Sequence, residues 1–194
     1  MLYSRCLAIA ADLYDRADWR TASAQTREAV RRESWNGAWF ADQSKRVNGL
    51  LQRTDFYSET CQYHAFFFGI TSREESAGLW QRLCDDWGPM RSSRHAGSAV
   101  DETVSCRGDN GERKQAADAV TVPAALLYGL MLRFLLLREA GERERLLVEL
   151  RHVFGPMARA SGTLWEHIEP QASLNHGFTS CVCALLARPP AIGL

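Results

Sequence analysis

Apolar positions along the chain recur at three- and four-residue spacing, and alternating in-out runs are nearly absent, so the sequence predicts an all-α protein. A first helix is expected over 2–15, with Cys6, Ile9 and Leu13 on one stripe, and a second over 19–35, with Ala22, Ala29 and Val30 as a thin apolar seam. A long loop to Asp55 follows, marked by the turn signal Asn48-Gly49. Helices three and four are expected over 58–70 and 73–87, the latter stopped by Gly88-Pro89. Helices five, six and seven are expected over 122–139, 142–159 and 174–187.

The order of these helices carries information. Helices three, five and seven (CQYHAFFFGI, the run after Val122, and CVCALLA) are apolar nearly all round, whereas four and six show one apolar face. A helix apolar on every side belongs inside a layer, and one with a polar face belongs outside. Such inner-outer alternation of hairpins is what an (α/α) toroid writes into a sequence. A layered solenoid is the alternative, but no fixed-period repeat supports it.

Residues 90–119 break the pattern. Ser, Gly, Arg and Asp abound there and large apolar residues nearly vanish, so a long loop or insertion is expected. Its Arg107-Gly108-Asp109 tripeptide is one that chance supplies often.

The chain has 194 residues, 23 basic against 23 acidic, and a pI near 7, which leaves no basic footprint for nucleic acid or an anionic membrane surface. The longest apolar stretch, 120–137, is interrupted by Pro123 and Arg133 and reads as a core helix, not a membrane span. Residues 1–13 carry Arg5 and Asp12 and lack a continuous apolar core, so no export signal is read and a cytoplasmic chain is expected as written. Six cysteines sit mostly in apolar runs and read as free thiols, and the Cys181-x-Cys183 pair lacks the second pair a structural zinc needs.

Two carboxylates occupy similar places near the N-terminal ends of inner helices. Glu59 follows Ser58 at the start of helix three, where it serves either the helix dipole or a site. Glu166 lies between Trp165 and His167, in a loop leading to helix seven, whose expected N-cap is Ser173 and whose first turn holds His176. A carboxylate beside an indole and near imidazoles suits a sugar site, where the ring stacks on a pyranose and the acid works at the anomeric centre. A surface glutamate in a loop remains the plainer reading. A metal set of Glu166, His167, Glu169 and His176 matches no ligand spacing, and no metal or cofactor is expected.

At these residues the sequence resembles a known family. SETCQYHAFFFGITSREESAGLWQRLCDDWGPMR (58–91), SGTLWEHIEPQASLNHGFTS (161–180) and WNGAWFADQSKR (35–46) resemble bacterial six-hairpin glycosidases of the α-L-rhamnosidase type. The likeness implies a partial (α/α)6 barrel, with about seven of its twelve helices in residues 1–194 as a single C-terminal portion. It implies inverting hydrolysis of terminal α-L-rhamnosides, with Glu166 of the G-T-L-W-E-H motif as general base. It also implies His176, Trp165, Glu59 and Trp39 as residues of the sugar pocket.

The family's general acid belongs to an upstream acidic motif that has no counterpart in this sequence, and 90–119 departs from the family's pattern. The expectation is therefore a fragment that turns over little without its other half. A truncated or degenerate homologue is the alternative, one that at most binds a rhamnose-containing glycoside or self-associates through an open edge.

Overall fold

The computed structural model describes residues 1–91, 122–124, 126–170 and 172–187, and among them the fold is mostly helical. Seven helices are seen: α1 (Leu2–Leu13), α2 (Ala17–Ser34), α3 (Glu59–Phe67), α4 (Ala77–Asp85), α5 (Leu127–Glu139), α6 (Arg143–Ser161) and α7 (Cys181–Ala187). The expected loop 90–119 lies outside the described residues except for Met90 and Arg91, and Cys106 and 107–109 lie outside them entirely. The five cysteines described are free thiols. No described helix is long and apolar enough to cross a membrane.

α5 is the centre of the packing, lying against α3, α6 and α7. It buries residues on every side, from Leu127 and Leu130 to Leu132, Phe134 and Leu137. α3 is likewise buried through Cys61, Gln62, Tyr63, Ala65 and Phe66. By contrast α4 sinks only Leu79, Leu83 and Cys84, and α6 only one face centred on Leu146, Leu150, Val153 and Met157. This is the burial contrast that the alternating hydropathy predicts. α7 departs from it: Val182 and Leu185 are buried, but Cys183 and Leu186 are exposed.

Several boundaries differ from the sequence reading, each for a local reason. The loop around Asn48-Gly49 contains a two-stranded antiparallel hairpin, β1 (Ser44–Val47) with β2 (Leu50–Arg53), and Asn48 and Gly49 both take the positive φ of its tight turn. All eight strand residues are exposed, so no in-out alternation announces them. α5 begins five residues later than expected. Pro123 favours extended backbone before it, and Val122 instead bridges to Ser58. Helix seven also begins late: Ser173 is not its N-cap, and His176 precedes a 3-10 turn (Gly177–Ser180) that leads into α7.

The α1 stripe is the largest departure. α1 and α2 pack on each other, but Ile9 and Leu13 are 46% and 75% exposed, Cys6 is exposed, and the helix buries only Ser4 and Ala11. Ser4 and Ala11 are small, which lets α2 approach closely. Ser23 Oγ donates to the Ser4 carbonyl at 2.6 Å.

Candidate functional site

The loop carrying Glu166 starts where α6 ends at Gly162, whose φ of +68° turns the chain out of the helix. It is then tied to itself at several points. The Trp165 indole donates to Ser161 Oγ at 2.7 Å, Glu166 N donates to the Ser173 carbonyl at 2.9 Å, and His176 N donates to the Leu164 carbonyl at 2.8 Å. Thr179 Oγ1 closes the far side on the Trp165 carbonyl at 2.7 Å. Thr163 Oγ1 also donates to the Leu174 carbonyl.

The loop is docked as well as folded. Leu127 N, the first residue of α5, donates to the Glu166 carbonyl at 3.2 Å, and Leu126 bridges to His167. Glu166 is thus held by its backbone at the N-terminal end of a buried helix. Its side chain is half-buried, and among the described residues no hydrogen bond engages its carboxylate.

Glu59 stands at the equivalent end of α3. Ser58, the N-cap, accepts from Cys61 N, and is itself held by Asp42, which accepts from Ser58 N at 2.8 Å and Ser58 Oγ at 2.6 Å. Glu59 N donates to the Val122 carbonyl at 2.9 Å, and its carboxylate accepts from Ala124 N at 3.3 Å. Val122 and Ala124 therefore bond to Glu59, Leu126 and Leu127 bond to the Glu166 loop, and both glutamates lie at one end of the α3–α5 pair.

Their environments differ. Glu59 is 1% exposed and meets the Tyr63 hydroxyl at 3.0 Å and the Arg91 guanidinium at 3.0 Å. A buried carboxylate with three donors is a brace more than an open ligand-binding group. Tyr63 is completely buried, and burial, reinforced by the Glu59 charge, pushes its hydroxyl well above the usual tyrosine range.

Both tryptophans taken from the resemblance are core residues. Trp39 is 3% exposed, stacks on Trp87 with centroids 4.7 Å apart, and carries the Arg82 guanidinium 5.2 Å from its ring centroid. Trp165 is also buried, and its indole N–H is spent on the loop. In this conformation neither ring offers an open face to a sugar.

Sequence reasoning missed the aromatic residues that do reach the surface here. His64 Nε2 lies 3.0 Å from the Tyr128 hydroxyl. Tyr128 in turn packs on Phe178 at 6.3 Å, and Phe178 on His176 at 6.3 Å. His64 and Tyr128 are separated by 64 residues, so no local pattern joins them. Among the described residues no group of three or more His, Cys, Asp or Glu is placed to hold a metal ion.

The chain matches no known family profile, no curated protein and no solved structure.

Proposed function

We propose that this chain is the C-terminal part of an (α/α)6 glycosidase barrel of the α-L-rhamnosidase type, in which Glu166 activates water for inverting cleavage. The observation that carries the reading is the state of Glu166. Its backbone is fixed to the start of α5 through Leu127 N, while its carboxylate keeps its lone pairs for a ligand or water. Its loop is bonded to Leu127, next to Tyr128, and holds His176 N through the Leu164 carbonyl, and the rings of Tyr128, Phe178 and His176 pack together as aromatic surface of the kind a pyranose stacks on. The alternation of all-round-buried α3 and α5 with one-faced α4 and α6 supports the toroid.

Inverting hydrolysis needs a second carboxyl on the opposite face of the scissile bond. Glu59 does not serve as that acid, because it is closed off from solvent and its oxygens are engaged by Tyr63, Arg91 and the Ala124 amide. The chain alone therefore binds the sugar and turns over little. The test is titration of the full chain with L-rhamnose, followed by NMR, beside an aryl-rhamnoside assay. Glu166→Gln is expected to weaken rhamnose binding about tenfold, the effect of losing a hydrogen bond to a charged group. Absence of any rhamnose-dependent shift in the 163–178 loop would sink the reading.

A second reading is favoured by the exposed stripe of Leu2, Ile9 and Leu13 on α1: a non-catalytic chain that associates through that face. A clean monomer in sedimentation velocity at tens of micromolar would count against it.

A further inference from the structure

On α1, Leu2, Cys6, Ile9 and Leu13 follow one another at spacings of four, three and four residues. That is the a/d seam of a coiled coil, with Leu2 and Ile9 at d and Cys6 and Leu13 at a. All four are exposed, and they face away from α2, because Ser4 and Ala11 on the opposite side of the helix are the buried residues. The helix beneath the seam is already fixed on α2, where Ser23 Oγ bonds the Ser4 carbonyl. A partner helix therefore meets a formed surface and orders no α1 backbone on binding.

The flanks of the seam select the helix that fits it. Both g positions are charged: Arg5 and, seven residues on, Asp12. At about 1.5 Å of rise per residue the two stand too far apart to pair with each other. Arg5 is exposed, and among the described residues its guanidinium has no ion-pair partner. Asp12 receives Arg20 at 2.8 Å on Oδ1, which leaves Oδ2 available. The e positions hold exposed Tyr3 and the small, half-buried Ala10.

A second α1 laid antiparallel about a twofold axis meets a complement at each of these positions. Leu2 layers with the partner's Leu13, and Cys6 with the partner's Ile9. Antiparallel helices set g against g and e against e, so Arg5 faces the partner's Asp12 and the Tyr3 ring covers the partner's Ala10. The axis makes every contact twice. Parallel pairing would instead set g against e and place Arg5 on Ala10, with no charge to meet.

We propose that α1 is a self-recognition element through which two copies of this chain pair antiparallel, with reciprocal Arg5–Asp12 ion pairs flanking the seam. The proposal rests on association through the α1 face and adds to it the partner, the direction and the register. With α1 only roughly 18 Å long, the interface belongs to the small class, below about 1,200 Å² in total, and the dimer is reversible.

Sedimentation velocity of the full chain over a concentration series tests this, under reducing conditions and at physiological ionic strength, where distant charges are screened. The unaltered chain is expected to move from monomer toward dimer across the tens of micromolar. Arg5→Asp and Asp12→Arg should each weaken the dimer about tenfold, because every reversal acts twice across the axis. Mixed in equal amounts, the two variants should regain the dimer as a heterodimer, since both facing pairs are then opposite in sign. The substituted side chains are exposed, so melting temperatures close to that of the unaltered chain verify that each variant is folded. Dimers lost in Leu13→Lys but untouched by either reversal, or reversals that the mixture does not rescue, would overturn the antiparallel pairing while leaving association through α1. A dimer that survives Leu13→Lys, or a chain monomeric throughout, overturns both.

Discussion

Arg133 and Glu149 form a two-pronged ion pair in the core, Nε to Oε2 and Nη2 to Oε1, both at 2.7 Å, with 2% and 3% of the side chains exposed. The third nitrogen, Nη1, donates to the Leu83 carbonyl at the last turns of α4. One guanidinium therefore joins α5, α6 and α4. Burial acts to lower the Arg133 pKa, but the Glu149 hydrogen bonds and charge outweigh it and leave the group firmly cationic.

Breaking this pair leaves a buried charge without its counter-charge. Glu149→Ala should cost about 3–5 kcal/mol in urea unfolding. Replacing both partners, Arg133→Met with Glu149→Leu, should recover roughly half or more of that loss, because two desolvated charges disappear together. A double variant as unstable as the single one would show that the bond to Leu83, not the ion pair, is what the core needs.

Gly88 sits against the same guanidinium. Its φ is +93°, and a Cβ there would stand 2.4 Å from Arg133 Nε. Gly141 has a similar φ of +78° but open space around the Cβ position. Gly141→Ala should thus cost only the left-handed backbone penalty, roughly 1–2 kcal/mol. Gly88→Ala should cost roughly 2–5 kcal/mol, since overpacking adds to that penalty. In an Arg133→Met background the difference between the two should shrink. An undiminished gap would place the cause elsewhere than in the guanidinium.

His64 makes stability depend on pH in a defined direction. Burial, aided by the positive chain N-terminus, holds its pKa below the ordinary 6.5, and Asp42 opposes this only partly. The unfolded chain therefore takes up the proton first as pH falls. This contribution is complete above the ordinary value and is lost as pH drops through it to the lower folded-state value. Melting temperatures between pH 7.5 and 5.5 should fall less steeply for His64→Asn than for the unaltered chain. Parallel curves would mean that His64 titrates alike in both states.

Much of the helical order was legible in the residues. The spacing of apolar positions located seven helices, and Gly88-Pro89 stopped α4 close to its observed end, Asp85. Hydropathy also separated α3 and α5, buried on most sides, from α4 and α6, each buried on one face. Glu166 could be singled out from its neighbours in sequence, because Trp165, His167 and His176 are local. The β-hairpin was not legible, since its strands are exposed on both faces and carry no alternation. Only its Asn48-Gly49 turn gave a signal.

The sequence by itself determined where helices form and which faces are apolar, because periodicity and turn chemistry act over a few residues. It could not decide which apolar faces find a partner. α1 has a good stripe at Cys6, Ile9 and Leu13, yet packs on α2 through Ser4 and Ala11 and leaves the stripe outside. Nor could it show that Glu59 is enclosed by Arg91, Tyr63 and Ala124, or that Trp39 is spent on Trp87. Arg133 in the middle of an apolar run demanded a counter-charge, but Glu149 sits sixteen residues away on another helix. Apart from Glu59–Tyr63, those pairings are long-range, and only the packing of α5 on α3 and α6, together with the loops before α3 and after α4, brings the charges and rings within reach.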